Sequence, residues 1–354
     1  MKRCIYVLFI FVATPVFAQQ PPEIRFQSVP NFLKLPTDLF LGEAAGVAVN
    51  SKGHIFVFSR GSTTGPAYGA AAAQLLEFAP DGKFIREIGH HLYAWSFAHT
   101  VKVDRDDNIW VTDKGSDMVI KFNPEGRVAM VFGRKLEASD EGTEPLKHVK
   151  PPLPPVDGMF RQVTDVAWDA AGNTYISDGY VNSRIGKADK DGNWIKSWGE
   201  PGSEPGQLNT PHSIAVDLQG NVYVADRGNR RIQVFDGDGK FVRQFTIDVP
   251  VPADARAAIG NKPTATTGTM SPGAPWAICI TPGPKQFLYS SDAFPGRIYK
   301  LSLDGKVLGV LGMSGKQLGQ FGWIHEIACP SENELYVAEI LNWRVQKLLL
   351  EPTH

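Results

Sequence analysis

Along the chain, short apolar runs alternate with polar positions, and the runs come in pairs. Six segments share one pattern of apolar run, turn, second apolar run, and they begin at Gly46, Thr100, Asp165, Ser213, Ala277 and Glu326. In 213–226 (SIAVDLQGNVYVAD), Ile214 and Val216 alternate on the first run and Val222 and Val224 on the second. That is the period of a strand with two distinct faces. Gly, Asn and Asp at the centre suit the positive φ angles of a tight hairpin. Third and fourth runs follow several pairs, as at 231–235 and 241–245 around the turn DGDG, and again within 118–132, 184–198 and 298–311. Start-to-start steps are 54, 65, 48, 64 and 49 residues. Four antiparallel strands at this spacing describe a propeller blade. The fold expected is all-β, a six-bladed propeller in one domain over 19–354.

The sixth unit lacks a fourth strand, because the chain ends soon after RVQKLLL at 344–350. The stretch 23–29 (EIRFQSV) alternates suitably and is expected to supply it, closing the ring and covering an exposed edge.

Composition narrows the class. Of 354 residues 43% are hydrophobic and 21% charged, as in a globular protein, and Gly 35 with Pro 26 fits a turn-rich chain. A formal net charge of −1 gives no basic surface for nucleic acid. Lys2 and Arg3, the apolar run 4–15 and Val16-Phe17-Ala18 read as a signal peptide over 1–18. No run is long enough to span a bilayer. The mature protein is expected to be exported, periplasmic or extracellular, with no membrane span. It then keeps Cys279 and Cys329, which are too few for a disulfide framework and are expected to be buried free thiols.

His99 and His212 are 113 residues apart, as are His212 and His325, and each stands just before a first strand. At that repeat position the six blades carry Ala45, His99, Thr164, His212, Trp276 and His325. Histidine occurs only in the even blades, about 120° apart, so the three rings should converge on the axis. Three imidazoles with an open fourth position form a catalytic zinc arrangement, although imidazole also suits iron or copper. The plain alternative is three channel histidines hydrogen-bonded to water.

The second strands end at the same face. Five end in an acid (Asp113, Asp178, Asp226, Asp292, Glu339), and Arg60 takes that place in blade one. Arg60 would bind a carboxylate or form a salt bridge to a neighbouring blade's acid. Tyr180, two residues beyond Asp178, is a candidate general base if nearby positive charge lowers its pKa, and otherwise an ordinary rim tyrosine. Long connections at 61–73, 134–159 and 247–275 are expected to wall a pocket there.

The stretches 177–185 (SDGYVNSRI), 198–214 (WGEPGSEPGQLNTPHSI) and 225–232 (ADRGNRRI), with the three placed histidines, resemble the catalytic domain of the peptidyl-α-hydroxyglycine α-amidating lyases, within the NHL-repeat propellers. The resemblance runs from about Gly46 to Leu350. It implies zinc on His99, His212 and His325, Tyr180 taking the substrate hydroxyl proton, and Arg60 binding substrate and orienting Tyr180. It implies cleavage of a small-molecule or peptidyl 2-hydroxyglycine to an amide and glyoxylate. It also implies a structural calcium on the carbonyls of Val47 and Val101 and the carboxylate of Glu326, where the family has aspartate. Trp323-Ile324 departs from the family's Met-Pro, and the family's paired cysteines are absent. No copper-dependent hydroxylating domain is expected beside the propeller, so either a separate hydroxylating enzyme supplies the substrate or the substrate is not a hydroxyglycine peptide. The alternatives are a zinc-dependent hydrolase of an ester, lactone or amide, and a non-catalytic NHL-type binding module.

Overall fold

A computed structural model describes residues 20–61, 73–135, 154–264 and 268–352. The expected signal peptide and parts of the three long connections lie outside these residues. Six four-stranded antiparallel sheets follow one another around an axis. The innermost strands are Ala44–Val49, Ala98–Val103, Asp165–Trp168, Pro211–Val216, Ile278–Ile280 and Ile324–Ser331. The second strands are buried, sandwiched by their neighbours, with only Glu334 at the start of the sixth partly exposed. Outer strands such as Phe241–Phe245 alternate, with Val242 and Gln244 outward. This is the six-bladed propeller that the repeat pattern predicts.

Six apolar clusters hold the ring, one between each pair of adjacent blades. Ile214, Val222 and Val224 of blade four pack on Tyr175 and Ile185 of blade three. Tyr223 and Ile232 meet Ile278 and Tyr299 of blade five on the other side. Every blade therefore buries both faces, and the hydrophobic drive acts between blades as much as within them.

Closure follows the expected route. Phe26–Ser28 pairs antiparallel with Arg344–Leu350, with Phe26 opposite Leu350. Just upstream, the Ile24 amide donates to the Val310 carbonyl at 2.7 Å and the Val310 amide to the Pro22 carbonyl at 3.0 Å. The N-terminal strap thus covers the outer edges of blades five and six together.

The cysteine expectation is corrected. Cys279 and Cys329 lie side by side on the innermost strands of blades five and six, Cα atoms 6.2 Å apart, and form a disulfide. Fifty residues of sequence separate them, but the ring makes their strands neighbours. Among the described residues no helix is long and apolar enough to cross a membrane.

Candidate metal centre and its surroundings

Each histidine sits at a bulge in its innermost strand. Ala98 pairs with Asp113 and Thr100 with Thr112, so His99 has no partner of its own, and the register shifts likewise at His212 and His325. A bulge re-aims the side chain of its extra residue, here toward the axis.

The acids ending the second strands fasten these bulges. Asp113 accepts from the amides of Ser96 and Phe97, Asp226 from that of Asn209, and Glu339 from that of Gly322. Each bond falls two or three residues before a histidine. The acids are buried and do not themselves enter the centre. They stand on the face where the strand pattern expects them, and there they act as its fasteners.

The three imidazoles are buried, with ring centroids 4.6–4.8 Å apart. One nitrogen from each lies within 4.8 Å of the others, a clustering that a single ion can bridge. The odd blades supply the orientation. His99 Nδ1 bonds the Thr164 carbonyl at 2.6 Å, His212 Nδ1 the Trp276 carbonyl at 2.6 Å, and His325 Nδ1 the Ala45 carbonyl at 2.8 Å. These are the residues at the equivalent repeat position of blades three, five and one. A carbonyl only accepts, so each Nδ1 carries the hydrogen and each Nε2 presents a lone pair, the arrangement seen in metal-ligating histidines. His212 Nε2 is buried without a hydrogen-bond partner. Burial holds all three histidines well below the ordinary range and therefore neutral. The donor set fits a borderline metal ion.

Tyr180 reaches this centre, its hydroxyl 3.3 Å from His99 Nε2. Gly179 is what lets the turn carry it there, since a Cβ at that position would stand 1.9 Å from the Pro211 carbonyl. Burial alone would push the phenol up, but Arg227, Lys114 and Arg60 outweigh it and hold Tyr180 below the usual tyrosine range.

Arg60 is buried, donates to the Ala98 carbonyl at 2.9 Å and to Glu43 at 2.5 Å, and stacks 3.9 Å over Phe97. It forms an ion pair with Glu43, an acid of its own blade. Its register also differs from the sequence reading. Ser59 lies opposite Ala44 as Asp113 lies opposite Ala98 and Asp226 opposite Pro211, so Ser59 holds the acid position and Arg60 the next. At that next position blade two has Lys114 and blade four Arg227. Both were missed, and aligning on the strand-terminal residue would have revealed them.

Lys114 lies 4.0 Å over the Tyr180 ring. Arg227 opens the short 3-10 turn Arg227–Asn229, is buried, and stacks 4.0 Å over Trp276, with Nε and Nη1 lacking a hydrogen-bond partner. Trp276 and Trp323, ring centroids 4.8 Å apart, wall the side toward His212 and His325. Three cations beside three neutral imidazoles make a centre suited to an anionic ligand.

Fold and site together define a six-bladed propeller with an axial three-histidine centre, and the NHL repeat family matches residues 208–235 in blade four. The chain is 32% identical to peptidyl-glycine alpha-amidating monooxygenase B of Xenopus laevis over 59% of its own length and 24% of that protein. It is 26% identical to peptidyl-alpha-hydroxyglycine alpha-amidating lyase 1 of Drosophila melanogaster over 71% of its own length and 44% of that protein. The matched region thus spans less than half of either relative. Among solved structures, virginiamycin B lyase from Staphylococcus aureus superposes with a TM-score of 0.56 at 15% identity, covering 93% of this chain and all of that one, which shows a shared fold. The resemblance to amidating-lyase propellers read from the motifs therefore holds across most of the ring.

Proposed function

We propose that the protein is an exported, zinc-dependent lyase of the amidating type, cleaving the carbon–nitrogen bond of a 2-hydroxyglycine amide to give an amide and glyoxylate. One observation carries the reading: three buried imidazoles with oriented Nε2 lone pairs stand beside a phenol that cations hold below its usual pKa. Zinc is assigned because three neutral histidines with an open position form its catalytic donor set. When bound, the ion supplies Lewis acidity that makes an α-hydroxyl easier to deprotonate.

Tyr180, as phenolate, takes the hydroxyl proton. The O–H electron pair becomes the second bond of the glyoxylate carbonyl, the C–N bond breaks, and its pair stays on the amide nitrogen. That nitrogen takes the proton back from Tyr180, so the atoms balance without oxidant or water. Arg227, with free donors, is assigned to the substrate carboxylate, and Lys114 to stabilising the phenolate. Arg60, held by Glu43 and the Ala98 carbonyl, contributes fixed charge that orients Tyr180 and assists substrate binding. The inter-blade disulfide and the basic–apolar leader support export to an oxidising compartment. The substrate is the product of hydroxylation at a glycine α-carbon, so a hydroxylating enzyme is its expected supplier.

Tyr180→Phe tests the assignment. It should retain one equivalent of metal per chain while releasing glyoxylate from α-hydroxyhippurate at least 100-fold more slowly, the order of a lost general base. Full turnover in that variant would remove Tyr180 from the mechanism.

A further inference from the structure

Next to the histidines, on the same innermost strands, lies a second layer of polar groups, and here the structure departs from what the resemblance implies. Glu326 is buried and neither carboxylate oxygen has a hydrogen-bond partner. With the carbonyls of Val47 and Val101 it would form the calcium set. Yet Lys102, adjacent to Val101, extends across the axis from blade two. Its Nζ lies 3.6 Å from Glu326 Oε1, 3.1 Å from Asp165 Oδ2 and 3.3 Å from the Ile214 carbonyl of blade four. The ammonium thus contacts groups of blades three, four and six from a strand of blade two.

Calcium requires six to eight oxygen ligands. Asp165 is already engaged: Oδ2 accepts from Ser213 Oγ at 2.8 Å and the Ile214 amide at 2.9 Å and faces the Lys102 ammonium at 3.1 Å, and Oδ1 accepts from the Val166 amide at 2.8 Å. Both carboxylates of this layer thus already have the same ammonium beside them, and a divalent cation would have to share that space with a fixed positive charge. The residues do not fit a calcium ion.

We infer that Lys102 is this propeller's axial cation, a covalently attached ammonium doing the tethering that a bound calcium would do. The ring therefore needs no calcium, and metal dependence is confined to the histidine centre. The ammonium also ties four of six blades, its own and the three it contacts.

The test is calcium titration by calorimetry into zinc-replete wild-type protein in calcium-free buffer, with Tm measured at each end. No calcium uptake and an unchanged Tm are expected. One equivalent bound with a rise in Tm of several degrees would overturn the inference. Lys102→Met should lower Tm by several degrees and Lys102→Arg by less, because the charge is kept. A Tm for Lys102→Met equal to wild type would also overturn it. If Lys102→Met does not fold, the wild-type titration decides alone.

Discussion

At the scale of single residues, the histidines are distinguished by what holds their far side. A buried histidine that merely fills space has no need of a carbonyl at 2.6–2.8 Å behind each Nδ1, repeated three times from alternate blades. The strand-end acids have a different job, and Asp292 offers a direct reading of it. It accepts from the amides of Gly273, Gly296 and Arg297 and from the Tyr299 hydroxyl, yet burial pushes it up to about 6. An unfolded aspartate titrates at ~3.9, so folding favours the protonated form. This contribution is fully present below about pH 4 and is lost as pH rises through about 6. The stability due to Asp292 should therefore fall between those values. Asp292→Asn should flatten that part of the Tm–pH curve, and a curve of unchanged slope would contradict the burial argument.

What was legible at this scale followed residue type. Histidine is scarce enough for three at a 113-residue interval to stand out, and Tyr180 was marked by its motif. Arg227 and Lys114 were not, because arginine and lysine are common and their position is defined only by strand register. Arg60 was found but placed one residue early, since a serine in the acid position breaks the pattern that sequence alignment relies on.

At the scale of elements, alternation and turn chemistry were enough to locate the strand pairs, because each blade must bury both faces. The third and fourth strands of blade one, Gln74–Phe78 and Phe84–Ile88, follow a small-residue connection that hides their phase. The disulfide was invisible for a simple reason: Cys279 and Cys329 belong to different blades, and contact between them depends on the ring. Two tests belong here. Deleting residues 19–30 removes the strap from the edges of blades five and six, so Tm should fall by ten degrees or more; an unchanged Tm would mean the ring closes otherwise. Replacing both cysteines by serine should cost about 2–4 kcal/mol in denaturant unfolding, the usual worth of closing a loop of this size. A cost near zero would show that packing alone holds blades five and six.

At the scale of the whole molecule, the propeller does two things on one axis. Its upper layer gathers three imidazoles from even blades and orients them with carbonyls from odd ones, so the six-fold scaffold becomes a three-fold centre. Its lower layer ties four blades through Lys102. Neither arrangement can be made by a single blade, which is why positions 113 residues apart act together. If the layers are independent, His99→Ala should lose the metal while keeping Tm within a few degrees of the metal-free wild type. A variant that unfolds would make the histidines part of the scaffold.

Lyase chemistry at the histidine centre is decided by its products. Zinc-replete protein incubated with α-hydroxyhippurate should release benzamide and glyoxylate in equal amounts, at a rate that neither metal-free protein nor Tyr180→Phe approaches. Benzoate in place of benzamide would reveal amide hydrolysis followed by collapse of free hydroxyglycine. Either that result or no product above the metal-free control would rule out lyase chemistry at this centre.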